Sequence, residues 1–153
     1  MKKIIAFMLS FVLMFSFCAC GNTETNKNEP VEAFTDIVVI DNEQCSFVIT
    51  SAPYEDAIWG QLIDVRLENK TDKTLIFSMD EVSINGYMVS VLFATEVSPG
   101  KKENTSITIF DTELENNKID IITDIEFITN IYDANDWMSP HIVNDLRFNT
   151  NFN

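Results

Sequence analysis

Three oxygen-bearing side chains stand close together in the segment Asp133-Ala134-Asn135-Asp136. Carboxylate and amide oxygens are the ligands that Ca²⁺ prefers, but this segment lacks the glycine and the terminal bidentate glutamate of an EF-hand loop. Asp and Asn are also common in turns, because their side chains bond nearby backbone amides. We therefore expect a turn without a metal, and calcium binding by Asp133, Asn135 and Asp136 is the alternative.

The chain has one histidine, His141, and it offers little for catalysis. A zinc site needs more ligands than one histidine provides. A catalytic triad needs a nucleophile placed beside its base, and no Gly-x-Ser-x-Gly motif is present. Acidic residues are so abundant that no particular pair of carboxylates predicts glycoside hydrolysis. We therefore expect no enzyme activity and no cofactor, and we interpret His141 as a surface or loop-packing residue.

Aromatic residues give the best indication of a binding role. Tyr54, Trp59, Tyr87, Tyr132 and Trp137 lie in or beside predicted loops, and exposed aromatic side chains can anchor peptides, glycans or proteins. Trp59 stands at the start of an alternating strand, so we expect it in the core. The sequence thus predicts a possible ligand-binding patch at residues 132–137, which includes Tyr132 and Trp137.

The N-terminal segment carries the features of an export signal. Lys2 and Lys3 precede an apolar run over residues 4–17, which is shorter than the roughly 20 residues of a membrane-spanning helix. The following residues, Phe17-Cys18-Ala19-Cys20, resemble the lipobox of bacterial lipoprotein precursors. The resemblance implies cleavage before Cys20, diacylglycerol on its sulfur, and a lipid anchor on the extracytoplasmic face of the cell membrane. Ordinary signal cleavage and an uncleaved anchor are the alternatives.

This reading divides the chain into three parts. Residues 1–19 are the predicted lipoprotein signal peptide, and residues 20–33 form a lipidated tether whose polar, aperiodic sequence is typical of a flexible linker. Residues 34–153 are long enough for a single domain with a real core.

Charge and cysteine content limit the partners and the stabilising chemistry. The net charge is −14, and loss of Lys2 and Lys3 with the signal would make it two units more negative. That balance argues against nucleic acid, whose phosphates require clustered basic residues, and against a domain that lies on an anionic membrane surface. Cys45 would be the only thiol left, and we expect it to be buried as a small apolar residue. An intermolecular disulfide is the alternative.

Alternating apolar residues and turn signals predict an all-β domain. Ile63, Val65 and Leu67 alternate with charged residues, as a half-buried antiparallel strand requires. Asn85-Gly86 predicts a type I′ hairpin, and the segment 98–101 predicts a type II turn. One short helix is expected where Thr112 and Glu115 fit a capping box. The predicted strands cover residues 34–40, 45–50, 58–68, 74–77, 81–84, 87–93, 105–110, 121–132 and 142–148.

About eight or nine short strands with frequent turns favour an immunoglobulin-like antiparallel β-sandwich with one short helix. The segments 67–75, 84–87 and 97–102 contain an Asn-x-Thr-Asp-Lys turn, an Asn-Gly hairpin and a Pro-Gly-Lys turn. This order resembles small extracytoplasmic bacterial lipoproteins that carry a telokin-like immunoglobulin domain of unknown function. The resemblance implies the fold and surface display, and it supplies no catalytic residues.

Taken together, these features predict a membrane-anchored lipoprotein that displays a non-catalytic interaction module. We expect its ligand to be an envelope protein or a glycan. An accessory or immunity-type envelope lipoprotein and an envelope hydrolase are the alternatives.

Overall fold

A computed structural model of the chain describes residues 34–136 and 138–152, so Cys20 and Trp137 lie outside the described residues. The described chain consists of β-strands, turns and one short helix. In chain order the elements are β1 (Ile37–Asp41), β2 (Cys45–Ile49), β3 (Tyr54–Asp56), β4 (Gly60–Asn69), β5 (Leu75–Ile84), β6 (Tyr87–Met88), β7 (Val91–Leu92), β8 (Ala94–Val97), β9 (Lys102–Ile109), α1 (Asp111–Asn117), β10 (Asp124–Asp133) and β11 (Val143–Asn151).

The strands form two antiparallel sheets. Sheet A has the order β1-β2-β4-β9-β7, and β3 pairs with the start of β4. Sheet B has the order β11-β10-β5-β6, and β8 pairs with the first half of β5. The predicted immunoglobulin-like antiparallel β-sandwich with one short helix is thereby confirmed.

The alternation in β4 places one face of sheet A in the core. Ile63, Val65 and Leu67 are fully buried or nearly so, whereas the intervening side chains face outward and are at least partly exposed. A strand places successive side chains on opposite sheet faces, so the period of two read from the sequence correctly assigned the inner face of β4.

Phenylalanine rings join the two sheets at the centre of the core. The ring of Phe47, in β2, lies 6.4 Å from Phe77, 5.5 Å from Phe93 and 6.0 Å from Phe127, measured between ring centroids. Phe127 in turn lies 5.3 Å from Phe148. Offset and edge-to-face aromatic pairs add to the free energy of apolar burial, so Phe47 is the principal contact of sheet A with sheet B.

The predicted Asn-Gly hairpin is confirmed. Asn85 and Gly86 have φ angles of 51° and 80°, the left-handed values that a type I′ turn requires at both central positions. The Asn85 side chain also accepts a hydrogen bond from the backbone N–H of Thr123 at 2.9 Å. The hairpin is therefore attached to the segment that leads into β10.

Three local predictions are wrong. The strands predicted separately over residues 74–77 and 81–84 form one continuous strand, β5. The predicted strand 87–93 is interrupted: β6 pairs with β5 in sheet B, and β7 pairs with β9 in sheet A. The helix begins after Phe110, with no side-chain cap, so Thr112 does not form a capping box. The carboxylate of Glu113 accepts a hydrogen bond from the N–H of Ser90 at 3.2 Å, which links the helix to the segment between β6 and β7.

A buried amide fixes the turn that carries the chain from sheet A to sheet B. Asn69 ends β4 and is completely buried. Its Nδ2 donates to the carbonyl oxygens of Lys73 at 2.6 Å and Val97 at 2.8 Å. Its Oδ1 accepts from the N–H of Thr71 at 2.9 Å and the hydroxyl of Thr71 at 2.8 Å. Both N–H groups and the oxygen of the side-chain amide are therefore hydrogen-bonded, either within the turn or to the end of β8.

Replacement of Asn69 should therefore destabilise the whole domain. Asn69→Ala leaves two carbonyl oxygens and one backbone N–H without their partner, and we expect a loss of about 3 kcal/mol in the free energy of unfolding. Denaturant unfolding followed by circular dichroism measures this loss. The matched control is Asn149→Ala at an exposed position of β11, which should change the free energy of unfolding by less than about 0.5 kcal/mol. Equal losses in both variants would contradict the role given to Asn69.

Candidate functional site

The aromatic patch predicted near residue 132 lies on the outer face of sheet B. Tyr132, in β10, is half-buried, and its ring stacks on His141 with 5.0 Å between the centroids. A groove of about 410 Å³ opens beside them, and Asp80 and Asn130 contribute to its lining. We call it the Tyr132 groove. His141 therefore packs against the predicted patch, and its Nδ1 is buried without a hydrogen-bond partner in the described structure.

The acidic segment after Tyr132 forms a turn whose carboxylates are already engaged. Asp133 accepts a hydrogen bond from the N–H of Asn135 at 2.9 Å and forms an ion pair with Lys73 at 3.0 Å. These two contacts, the backbone bond first, hold the pKa of Asp133 below its ordinary value. The carboxylate of Asp136 accepts from the Ser139 hydroxyl instead of turning toward Asp133. This is the expected turn, and calcium would have to displace Lys73 to bind there.

Within residues 34–136 and 138–152, no group of three or more His, Cys, Asp or Glu side chains is placed to hold a metal ion. Trp137, the second aromatic residue of the predicted patch, and Cys20, the predicted lipidation site, lie outside the described residues.

The structure corrects the expectation that Trp59 belongs to the core. Trp59 is 54% exposed, because β4 begins only at Gly60 and residues 57–59 form the preceding turn. The carboxylate of Asp56 accepts hydrogen bonds from the N–H groups of Ile58 and Trp59 at 2.9 and 3.0 Å. Trp59 therefore belongs to a fixed turn at the surface.

Gly60 makes this turn possible. Its φ angle is +91°, and a Cβ atom at this position would lie 2.7 Å from the carbonyl oxygen of Ile109. Only glycine accommodates both the backbone conformation and the close approach. The chain can therefore turn sharply after Trp59 and enter β4 directly against the end of β9.

The exposed indole borders a groove on sheet A, about 520 Å³ in volume, which we call the Trp59 groove. Leu62 and Leu92 line it beside Trp59, and Thr108 lies between these two leucines in the sheet register. Tyr54 pairs with Leu62 on its other side. Four neighbouring strands thus present a continuous row of apolar and hydroxyl-bearing side chains on the outer face.

A carboxylate lies beside this row, at Asp64, two positions along β4 from Leu62. Asp64 Oδ1 accepts hydrogen bonds from the Tyr54 hydroxyl at 2.9 Å and the Ser106 hydroxyl at 2.7 Å. The bond to Asp64 is the main cause of the raised pKa of Tyr54. A second groove of about 260 Å³, which we call the Asp64 groove, shares Thr105 and Ser106 with the Trp59 groove. The two grooves therefore form one path along β9, apolar at one end and acidic at the other.

Sequence reasoning missed this site for an identifiable reason. The outward positions of β4 and β9 were visible from their alternation, but the strand register that joins Leu62 to Thr108 and Asp64 to Ser106 was not. The register depends on long-range pairing, which a single sequence does not display. The exposed turn at Trp59 depends likewise on the contact of Gly60 with Ile109.

The predicted burial of Cys45 is confirmed. The thiol is completely buried, and desolvation raises its pKa to about 11. Only the thiolate is a strong nucleophile, so this cysteine is unreactive in the folded domain.

Alkylation tests this burial directly. In a chain with Cys18→Ser and Cys20→Ser, Cys45 is the only thiol. Because the raised pKa lowers the thiolate fraction by about two orders of magnitude, iodoacetamide at pH 8 should modify the native protein about 100-fold more slowly than the urea-unfolded protein. The same shift should make stability constant below the unfolded pKa, near 9, and decrease it as the pH rises toward 11. Equal alkylation rates in both states would contradict the burial.

Comparison with known protein families, with curated proteins and with solved structures finds no match to this chain. None of the described residues belongs to a helix that is long and apolar enough to cross a membrane.

Proposed function

We propose that this protein is a lipoprotein of the extracytoplasmic face of the cell membrane, which displays a non-catalytic binding domain. The lipid on Cys20 holds the chain to the membrane, residues 21–33 act as a flexible tether, and the β-sandwich carries the binding surface. The ligand is a component of the same envelope.

The observation that carries the binding role is the exposure of Trp59 beside an open groove. An indole that remains 54% exposed next to Leu92, itself 57% exposed, leaves apolar surface in contact with water. Contiguous exposed apolar surface is a feature of binding sites. Tryptophan is among the residue types enriched in interface hot spots. The turn around Asp56 and Gly60 fixes the backbone of Trp59 at the surface.

The sequence features of residues 1–20 support membrane attachment through a lipid, and the charge of the domain argues against attachment through the domain surface. The surface is strongly acidic, with a net charge of −14 for the chain, so it has no electrostatic attraction to anionic lipid. Two acyl chains suffice for stable anchoring. The diacylglyceryl group is therefore the only attachment that the proposal needs.

Replacement of the lipidated cysteine tests the anchor. Cys20→Ser should leave the domain folded and shift the protein from the membrane fraction to the soluble extracytoplasmic fraction, because the acylation site is lost. Cell fractionation with immunoblotting measures the shift, and mass spectrometry of the wild-type N-terminus identifies the lipid. The matched control is Cys18→Ser, which should remain in the membrane fraction. A wild-type N-terminus without lipid would overturn this part of the proposal.

Alanine substitution in the grooves tests the binding domain. Crosslinking in intact cells should capture a partner, and Trp59→Ala should reduce its recovery at least about tenfold, as expected for a hot-spot tryptophan. Ile121→Ala is the control, since Ile121 is 73% exposed and does not line the Trp59 groove. Tyr132→Ala examines the patch predicted from sequence. Loss of capture in Tyr132→Ala with retention in Trp59→Ala would contradict the assignment of the site to the Trp59 groove.

A further inference from the structure

Strand β9 has an edge that the described part of the chain leaves largely unpaired. On one side, β4 pairs with every residue from Lys102 to Ile109. On the other side, β7 pairs only with Thr108 and Ile109. The chain then leaves sheet A, and β8 pairs with β5 in sheet B. Residues 102–107 therefore present backbone donors and acceptors at a sheet edge, which is a template for another strand.

The two grooves follow this edge. Ala94 and Thr95 of β8 line the Trp59 groove on one side, and Thr105 and Ser106 of β9 line it on the other. The space beside β9 is therefore open to solvent, although β8 is its nearest neighbour in the chain. An extended segment placed here would continue the position that β7 occupies beside Thr108.

The side chains along the path define what such a segment must carry. Next to β7, the exposed Leu92 and Trp59 provide an apolar contact. Two strand positions farther along, Ser106 holds the carboxylate of Asp64 by a hydrogen bond of 2.7 Å. Alternate residues of a strand point to the same face. Because Leu92 itself lies opposite Thr108, the first outward side chain of an added strand would lie opposite Ser106, next to Leu92 and across β9 from Asp64.

The charges around Asp64 favour a basic side chain at this position. Asp64 accepts hydrogen bonds from two hydroxyl groups and forms no ion pair with another described residue. Other carboxylates bind the basic side chains that form ion pairs, namely Arg66, Lys70, Lys73, Lys102 and Arg147. Electrostatic complementarity favours encounter with partners of opposite charge, and the chain carries a net charge of −14.

We propose that the free edge of β9 binds an extended basic peptide segment of a partner protein as an added β-strand. This inference rests on the proposed binding function and names its ligand class. Backbone hydrogen bonds to residues 102–107 would supply affinity, and the outward side chains would supply selection: a lysine or arginine opposite Ser106 would pack its aliphatic stem against Leu92 and place its charge at Asp64.

A designed peptide tests the strand addition. The probe is the blocked heptapeptide acetyl-Thr-Lys-Thr-Leu-Thr-Lys-Thr-amide. Its sequence reads the same in both strand directions and places a lysine opposite Ser106 when a terminal threonine lies opposite Ile107. Its binding to the purified full-length lipoprotein in neutral detergent micelles is measured by calorimetry. One derivative is N-methylated at both lysines and the leucine, and a second is N-methylated at the two internal threonines and the C-terminal threonine. Only one of these two sets of amides can face β9, since the amides of an added strand alternate between its two edges.

Strand addition predicts a large difference between the two derivatives. One should bind at least about tenfold more weakly than the parent peptide, because each lost backbone bond removes about 1 kcal/mol, and the other should bind within about twofold of it. Hydrogen exchange should slow at alternate amides of residues 103–107. Equal binding of both derivatives, or no binding of the parent peptide, would overturn the proposal.

Charge selection has its own controls. Replacement of both lysines of the peptide by glutamate should weaken binding at least about tenfold. Asp64→Asn, which keeps an oxygen acceptor for the two hydroxyl groups, should weaken binding of the parent peptide and reduce its salt dependence. Glu43→Gln, in the exposed turn between β1 and β2, should do neither. Equal effects of Asp64→Asn and Glu43→Gln would refute the pairing with Asp64.

Failure of this inference is distinguishable from failure of the proposed function. If capture in cells still depends on Trp59 while both N-methylated peptides bind alike, the domain is a binding module that does not use strand addition. A glycan or a folded protein surface would then be the ligand. If capture in cells is also independent of Trp59, the proposed binding function fails as well.

Discussion

The buried amide of Asn69 determines how the two sheets of this domain meet. It lies where β4 of sheet A ends, and it bonds both the turn that leads into β5 and the carbonyl of Val97 at the end of β8. The backbone N–H of Asn69 also donates to the carbonyl of Lys101 at 2.9 Å. Three chain segments are therefore bonded to this one residue, two by its side chain and one by its backbone. A buried polar group is costly unless its bonds are satisfied, so these segments have little freedom to separate without unfolding.

The open edge of β9 follows from this arrangement. Because β8 ends at Val97 against Asn69 and pairs with β5, it belongs to sheet B. Strand β9 begins a few residues later and follows β4 in sheet A. The strands on the two sides of the β8–β9 turn therefore belong to different sheets. Within the described chain, only the two residues of β7 pair with the second edge of β9. The same constraint that closes the core leaves a strand edge and its groove uncovered.

The sequence predicted what local periodicity determines and missed what long-range pairing determines. The alternation of Ile63, Val65 and Leu67 and the Asn-Gly hairpin were correct, since both depend on neighbouring residues. The single strand predicted over residues 87–93 was wrong, because its residues are divided between sheets by pairing with β5 and β9. Trp59 was misplaced for a similar reason: a glycine contact with Ile109 moves the start of β4 past it.

The acidity of the domain is consistent with an unprotected edge strand. Exposed edges promote pairing between identical chains, and proteins usually blunt them with charge, bulges or covering segments. In this domain β11 carries such a bulge at Asp145, which has a φ angle of +53°. Residues 102–107 of β9 have no strand beyond them in the described chain, but every copy carries a net charge of −14. Mutual repulsion opposes pairing between copies, while it does not oppose a basic strand. The same charge that keeps two copies apart would therefore leave the edge of β9 available to a partner of opposite sign.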